Sequence, residues 1–198
     1  MSLHLYKMTI LTTLISDVRA CTLCESKLEH GVRPIIQIDS NAKILIAGQA
    51  PGRKVHESGI PFDDASGDRL RQWMGISKDV FYNPKKIAIL PMGFCYPGKG
   101  KSGDLPPRSE CAVAWRSKLL EQLPQLQLTL VIGQYAQSYH FPNNNLSVTE
   151  RVHSWKNYWP NLMPLPHPSP RNNIWLKKNS WFESEVLPSL RERVSELL

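Results

Sequence analysis

Four cysteines make up the whole thiol complement of this 198-residue chain, and their spacing is uneven. Cys21 and Cys24 are separated by two residues, a gap of 70 follows, and Cys95 and Cys111 are separated by fifteen. A C-x-x-C pair with two distant partners fits a tetrathiolate metal site better than disulfides, which a reducing cytosol disfavours. Four thiolates suit a [4Fe–4S] cluster or a tetrahedral zinc ion alike. The first pair sits in polar "RACTLCESK" rather than in an apolar run, which sets it apart from cysteines buried as small hydrophobes. Four other stretches carry unusual chemistry: "GQAPG" (48–52), "PMGFCYPG" (91–98), "GQYAQ" (133–137) and "HPSP" (167–170). In the first, Gly48 and Gly52 let backbone N–H groups approach a ligand while Pro51 fixes the turn.

Each of these stretches ends a short apolar run. "AKILIAG" (42–48), "KIAILPM" (86–92), "LTLVIGQ" (128–134) and "NLMPLPH" (161–167) read as four strands, each stopped at or near Gly or Pro. Helical patterns lie between and after them, over 66–75, 108–123, 148–159 and 181–198. Pro188 interrupts the last of these, so a restart over 189–198 is expected. Strands separated by helices make crossover units and a parallel sheet covered on both faces. In such sheets ligands bind outside the carboxyl ends of the strands, where all four unusual stretches fall as loops. The Pro- and Gly-dense "YPGKGKSGDLPP" (96–107) reads as a long loop, and no repeat or low-complexity tract occurs.

Size and composition allow one compact domain over 1–198, with 41% hydrophobic and 21% charged residues. With no run of about 18 apolar residues, and with Asp17 and Arg19 closing the first apolar region, neither a membrane span nor a cleaved leader is expected, and the cytoplasm is the expected location. A net charge of +7 and a pI near 9.3 favour a polyanionic partner such as nucleic acid.

Taken together, "ILIAGQAPG", "GIPFDDASGDRL", "FCYPG" and "HPSP", in that order and with four cysteines, resemble the uracil-DNA glycosylase superfamily, closest to its iron–sulfur (family 4) branch. The resemblance runs from Cys21 to beyond His167. It implies a three-layer α/β/α sandwich with a central four-stranded parallel sheet, a [4Fe–4S] cluster on Cys21, Cys24, Cys95 and Cys111, and excision of a deaminated base from DNA.

By the same resemblance Phe62 stands where an aromatic ring stacks on the extruded base, and His167 where a histidine hydrogen-bonds the departing pyrimidine oxygen. The loop of Gly48, Gln49, Ala50, Pro51 and Gly52 would steady the same anion. Tyr96, Pro97 and Gly98 follow Cys95 much as an R-P-P follows the family's cysteine, so Cys95 is expected on a loop joining cluster to active site. Arg171 or Asn172 follows the histidine at the place of a duplex wedge. Arg53, Lys54, Lys99, Lys101, Lys177 and Lys178 are candidate phosphate contacts, and Trp175 and Trp181 stacking platforms or packing for the last helix.

Departures from the pattern fall at the chemistry. Pro91 stands where the branch has a base-reading asparagine and offers a carbonyl but no donor. Gln49 replaces a glutamate, and an amide orients water without accepting a proton. Ala50 also differs from the Asp or Asn of other branches. The water-placing group is then Gln49 or a carboxylate after Phe62, with Asp64 first choice among Asp63, Asp64 and Asp68. The expected partner is DNA holding a damaged or mispaired base, and the expected state is a monomer. The alternative is a protein of this fold and metal centre, cluster or zinc, that binds nucleic acid or senses redox state without turnover.

Overall fold

The four apolar runs form four strands, β1 Ile44–Ala47, β2 Ile87–Ile89, β3 Leu128–Ile132 and β4 Leu162–Leu165. They make one sheet in the order β2-β1-β3-β4 with every pair parallel. Only Leu162 among the strand residues is not fully buried, which explains why these runs are continuously apolar instead of alternating. Both sheet edges are managed. Gln37 closes the β2 edge by exchanging backbone hydrogen bonds with Ile89 at 3.0 and 2.7 Å. Pro164, which cannot donate, lies in the edge strand β4 opposite Val131.

The computed structural model describes residues 3–142 and 145–198, and ten α-helices cover the sheet among them. They are α1 Leu3–Arg19, α2 Arg53–Ser58, α3 Ala65–Met74, α4 Lys78–Phe81, α5 Ser109–Cys111, α6 Ser117–Leu120, α7 Gly133–His140, α8 Val148–His153, α9 Asn173–Lys178 and α10 Leu187–Leu197. A π turn, Ala112–Arg116, joins α5 to α6, so the expected helix over 108–123 is present with a widened middle. A second π turn, Phe182–Val186, precedes α10. Pro188 has no N–H and its ring would press on the carbonyl four residues back, a conflict that a wider turn relieves. The helix expected over 148–159 stops at His153, and a 3-10 turn over Trp155–Asn157 carries Trp155 into the core.

One expectation is corrected here: "GQYAQ" is the first turns of α7 rather than a loop. "YPGKGKSGDLPP" is a long loop, as expected, drawn into a small hairpin by a bridge between Lys99 and Asp104.

Alternate strand residues face opposite layers. Ile44, Ile46, Ile89 and Leu130 meet Leu70 and Trp73 of α3, Val152 of α8 and Leu190 of α10. Leu45 and Ala88 meet Leu11 and Val18 of α1 and Leu119 of α6. Ala47 and Val131 meet Ala136 of α7. Three layers result, as expected. Among the described residues no helix is long and apolar enough to cross a membrane.

Candidate active site

Because all four strands are parallel, their carboxyl ends share one edge. The chain leaves β1 for β2 on one side and then crosses to β3 on the other, so a crevice opens between the ends of β1 and β3. A pocket of about 500 Å³ lies there, within the ~300–1,000 Å³ common for small-molecule sites. Every strand contributes to it: Gly48 and Gln49 after β1, Pro91 after β2, Tyr135 after β3 and His167 after β4.

Close backbone approach shapes its floor. A Cβ on Gly48 would lie 3.4 Å from Cζ of Phe62, so the ring sits directly against the glycine loop. Phe62 has φ 56°, a left-handed conformation that a bulky residue adopts only when its surroundings impose it. Those surroundings are identifiable. Asp64 caps α3 by accepting from the Gly67 N–H at 2.9 Å, Gly67 packs against the Phe62 carbonyl, and the Phe62 ring meets Phe81 edge-on at 6.0 Å. The loop above is pinned as well, since the Gly48 and Gln49 carbonyls accept from Met92 and Gly93, both at 2.9 Å. The Gln49 amide rests on Gly133, whose φ of +75° and missing side chain make room for it.

His167 closes the opposite wall. Its Nδ1 accepts the Ser169 backbone N–H at 3.2 Å, which leaves the ring proton on Nε2, a donor. Burial holds its pKa below the ordinary histidine value, against the opposing pull of Asp64 and Asp104, so the ring is neutral. The Asn172 amide donates to the His167 carbonyl at 2.7 Å, and Arg69 of α3 donates to the Ser169 carbonyl at 3.0 Å. Gln137, buried in α7, donates to the Leu165 carbonyl at 2.9 Å, which ties the end of β4 to α7.

Most sequence-predicted residues therefore meet. Gly48, Gln49, Ala50, Pro51, Gly52, Phe62, Asp64, Pro91, His167, Arg171 and Asn172 all line this pocket. Asp63 and Asp68 do not: Asp63 lies 3.8 Å from Lys78, and Asp68 pairs with Arg71 at 2.6 Å. Arg53 and Lys54 are exposed on α2, and Lys99 and Lys101 are exposed on the hairpin beside the pocket. Lys177 and Lys178 are exposed in α9. Trp175 donates to Thr149 at 2.7 Å and packs on Trp181 and Phe182, which makes these indoles part of the core boundary. Sequence reasoning missed Asp104 and Tyr135, both pocket-lining. The basic run "GKGKSGD" concealed the aspartate, and the tyrosine lay in "GQYAQ", noted above but given no role.

The Pro91 carbonyl is engaged by Arg116 at 3.1 Å. Arg116, fully buried, also donates to the Leu90 carbonyl at 2.8 Å and to Nε2 of His140 at 2.9 Å. Burial and the neighbouring guanidinium push His140 down to about 4, consistent with a neutral ring accepting there. The segment that bears Cys111 thus holds the pocket wall directly.

All four cysteines border a second, small cavity. Among the described residues no three His, Cys, Asp or Glu side chains form a group that could hold a metal ion. N–H donors nevertheless surround the sulfurs. Trp115 Nε1 donates to Cys21 Sγ at 3.2 Å, the Arg108 guanidinium lies at Cys24, and the backbone N–H groups of Arg33 and Phe94 serve Cys95 and Cys111. Burial raises the Cys95 thiol and pushes Cys111 up to about 11, an electrostatic cost of gathering thiolates that a bound cationic centre removes. The donor set fits a thiolate-bound metal group.

A parallel α/β sheet with one pocket across its carboxyl edge, a neutral histidine donor on one wall and an aromatic ring beneath a glycine loop defines a base- or nucleoside-sized site. The uracil DNA glycosylase superfamily model matches residues 35–191, and the chain belongs to that superfamily. The matched segment begins after Cys21 and Cys24. The chain is also similar to the solution NMR structure of a proposed uracil DNA glycosylase from Methanosarcina acetivorans, with 21% identity over 81% of this chain and 97% of that one and a TM-score of 0.47.

Proposed function

We propose that the protein is a monofunctional DNA glycosylase of the iron–sulfur branch, acting as a single-domain cytoplasmic monomer on a deaminated base in DNA. The observation that carries this reading is the convergence of His167, Phe62 and the 48–52 loop on one pocket. A base inside a duplex is out of reach of such a pocket and must be flipped, at a cost of roughly a few kcal/mol that is smallest for mispaired bases. Phe62 offers the extruded base a ring already held in place, and stacking contributes about 1 to 3 kcal/mol. As the N-glycosidic bond breaks, negative charge collects on the base, where Nε2–H of His167 donates to it. Gln49 and Asp64 orient the water. Arg53, Lys54, Lys99 and Lys101 hold phosphates, and Arg171 or Asn172 at the pocket rim fills the vacated stack.

Cys21, Cys24, Cys95 and Cys111 would hold a [4Fe–4S] cluster, with zinc the alternative. Such a group, when bound, supplies a rigid brace rather than a chemical step. Four thiols bordering one cavity suit either group. Protein prepared without oxygen should absorb broadly near about 400 nm; colourless protein with stoichiometric zinc would reject the cluster.

The function is tested by base release from oligonucleotides carrying uracil, hypoxanthine or xanthine, single- and double-stranded. Abasic product from at least one is expected. Tight binding with no product from any would replace the glycosylase reading with that of a binding protein of the same fold.

A further inference from the structure

Resting on the glycosylase reading, we propose that Asp104 is a catalytic residue, the carboxylate that accepts the proton of the attacking water. It stands on a tight hairpin over the pocket, in which Gly100 donates to the Gly103 carbonyl at 2.6 Å and Leu105 to the Gly98 carbonyl at 2.9 Å. Its two oxygens have different neighbours. Oδ1 accepts from the Tyr96 hydroxyl at 3.3 Å, and Tyr96 is itself buried and stacked on His30 at 5.2 Å. Oδ2 faces the glycine loop, 3.6 Å from where a Gly52 side chain would begin.

Of the aspartates near Phe62, two are committed elsewhere and the third in part. Asp63 and Asp68 pair with cations outside the pocket, and one Asp64 oxygen caps α3. Asp104 makes no ion pair among the described residues. It therefore combines a held orientation, an oxygen directed at the site and a place in the same pocket as His167.

The balance is simple. The bond from the sugar C1′ to the base nitrogen breaks and its electron pair leaves with the base, which accepts the hydrogen bond from His167. A water oxygen forms the new bond to C1′, and its proton passes to Oδ2 of Asp104. Gln49 and Asp64 orient that water without having to take the proton.

Asp104→Asn tests the assignment, because the amide keeps an acceptor for Tyr96 and the hairpin its bridge. Single-turnover release should fall by about 10² or more, with affinity for DNA carrying an uncleavable abasic-site analogue unchanged. Tyr96→Phe keeps the carboxylate and loosens it, so it should slow release by less than Asp104→Asn does. Release by Asp104→Asn at the wild-type rate, or a loss explained wholly by weaker binding, overturns the assignment. Wild-type protein that releases no base from any substrate overturns the glycosylase reading and this one together.

Discussion

His167→Ala should slow base release by about 10² to 10³ while leaving the folded structure and the affinity for abasic-analogue DNA intact. The magnitude follows from removing one preorganised donor to a developing anion. The side chain is suited to that donation: Ser169 occupies Nδ1, burial keeps the ring neutral, and Asn172 and Arg69 hold the segment that carries it. None of those contacts is an ion pair whose loss would unfold the protein, so thermal midpoint and release rate should separate. His167→Gln, which retains an N–H donor at shorter reach, should recover part of the rate. Equal rates for wild type and the alanine variant, at equal DNA affinity, would remove His167 from the chemistry.

Gly67→Ala should cost about 3 kcal/mol or more of stability and displace the base-stacking ring. Two effects compete. Alanine is the better helix former by roughly 1 kcal/mol, and Gly67 lies in the first turn of α3. Against that gain, the new methyl would overlap the Phe62 carbonyl oxygen, a backbone atom that cannot swing aside as a side-chain end can. Either α3 withdraws, which breaks the Asp64 cap, or Phe62 leaves its left-handed conformation and the floor of the pocket with it. The overlap wins because it is backbone against side chain within a turn fixed at both ends. Gly48→Ala is the control, since its Cβ would make ordinary contact with the Phe62 ring at 3.4 Å. An unchanged denaturation midpoint for Gly67→Ala would reject this account of the floor.

The four strands were legible because parallel strands buried on both faces must be apolar throughout, and each of these runs ends at a glycine or proline. The edge that holds the pocket followed from the same parallel arrangement. Less legible were the places where one local signal serves two structures. "GQYAQ" reads as a turn because of its glycine, yet Gly133 begins α7, where it leaves room for Gln49 while Gln137 reaches back to β4. "GKGKSGD" reads as a charged loop, although its glycines close a hairpin that aims an aspartate. Asp68 was eligible as a carboxylate after Phe62, though a helix start explains it equally, and Arg71, one turn on, takes it.

By itself the amino-acid sequence determined the α/β layering and the sheet edge on which the unusual stretches fall, because hydrophobic period and chain punctuation are local properties; the joining of GQAPG, Phe62 and His167 was legible only through the resemblance to the superfamily. Only the tertiary structure decided the strand order, the engagement of the Pro91 carbonyl and the carboxylates that face the histidine. Those depend on contacts between residues far apart in the chain, such as Arg116 with Pro91 or Tyr96 and Asp104 with the Gly52 loop, and no local pattern encodes which distant partner a polar side chain will meet.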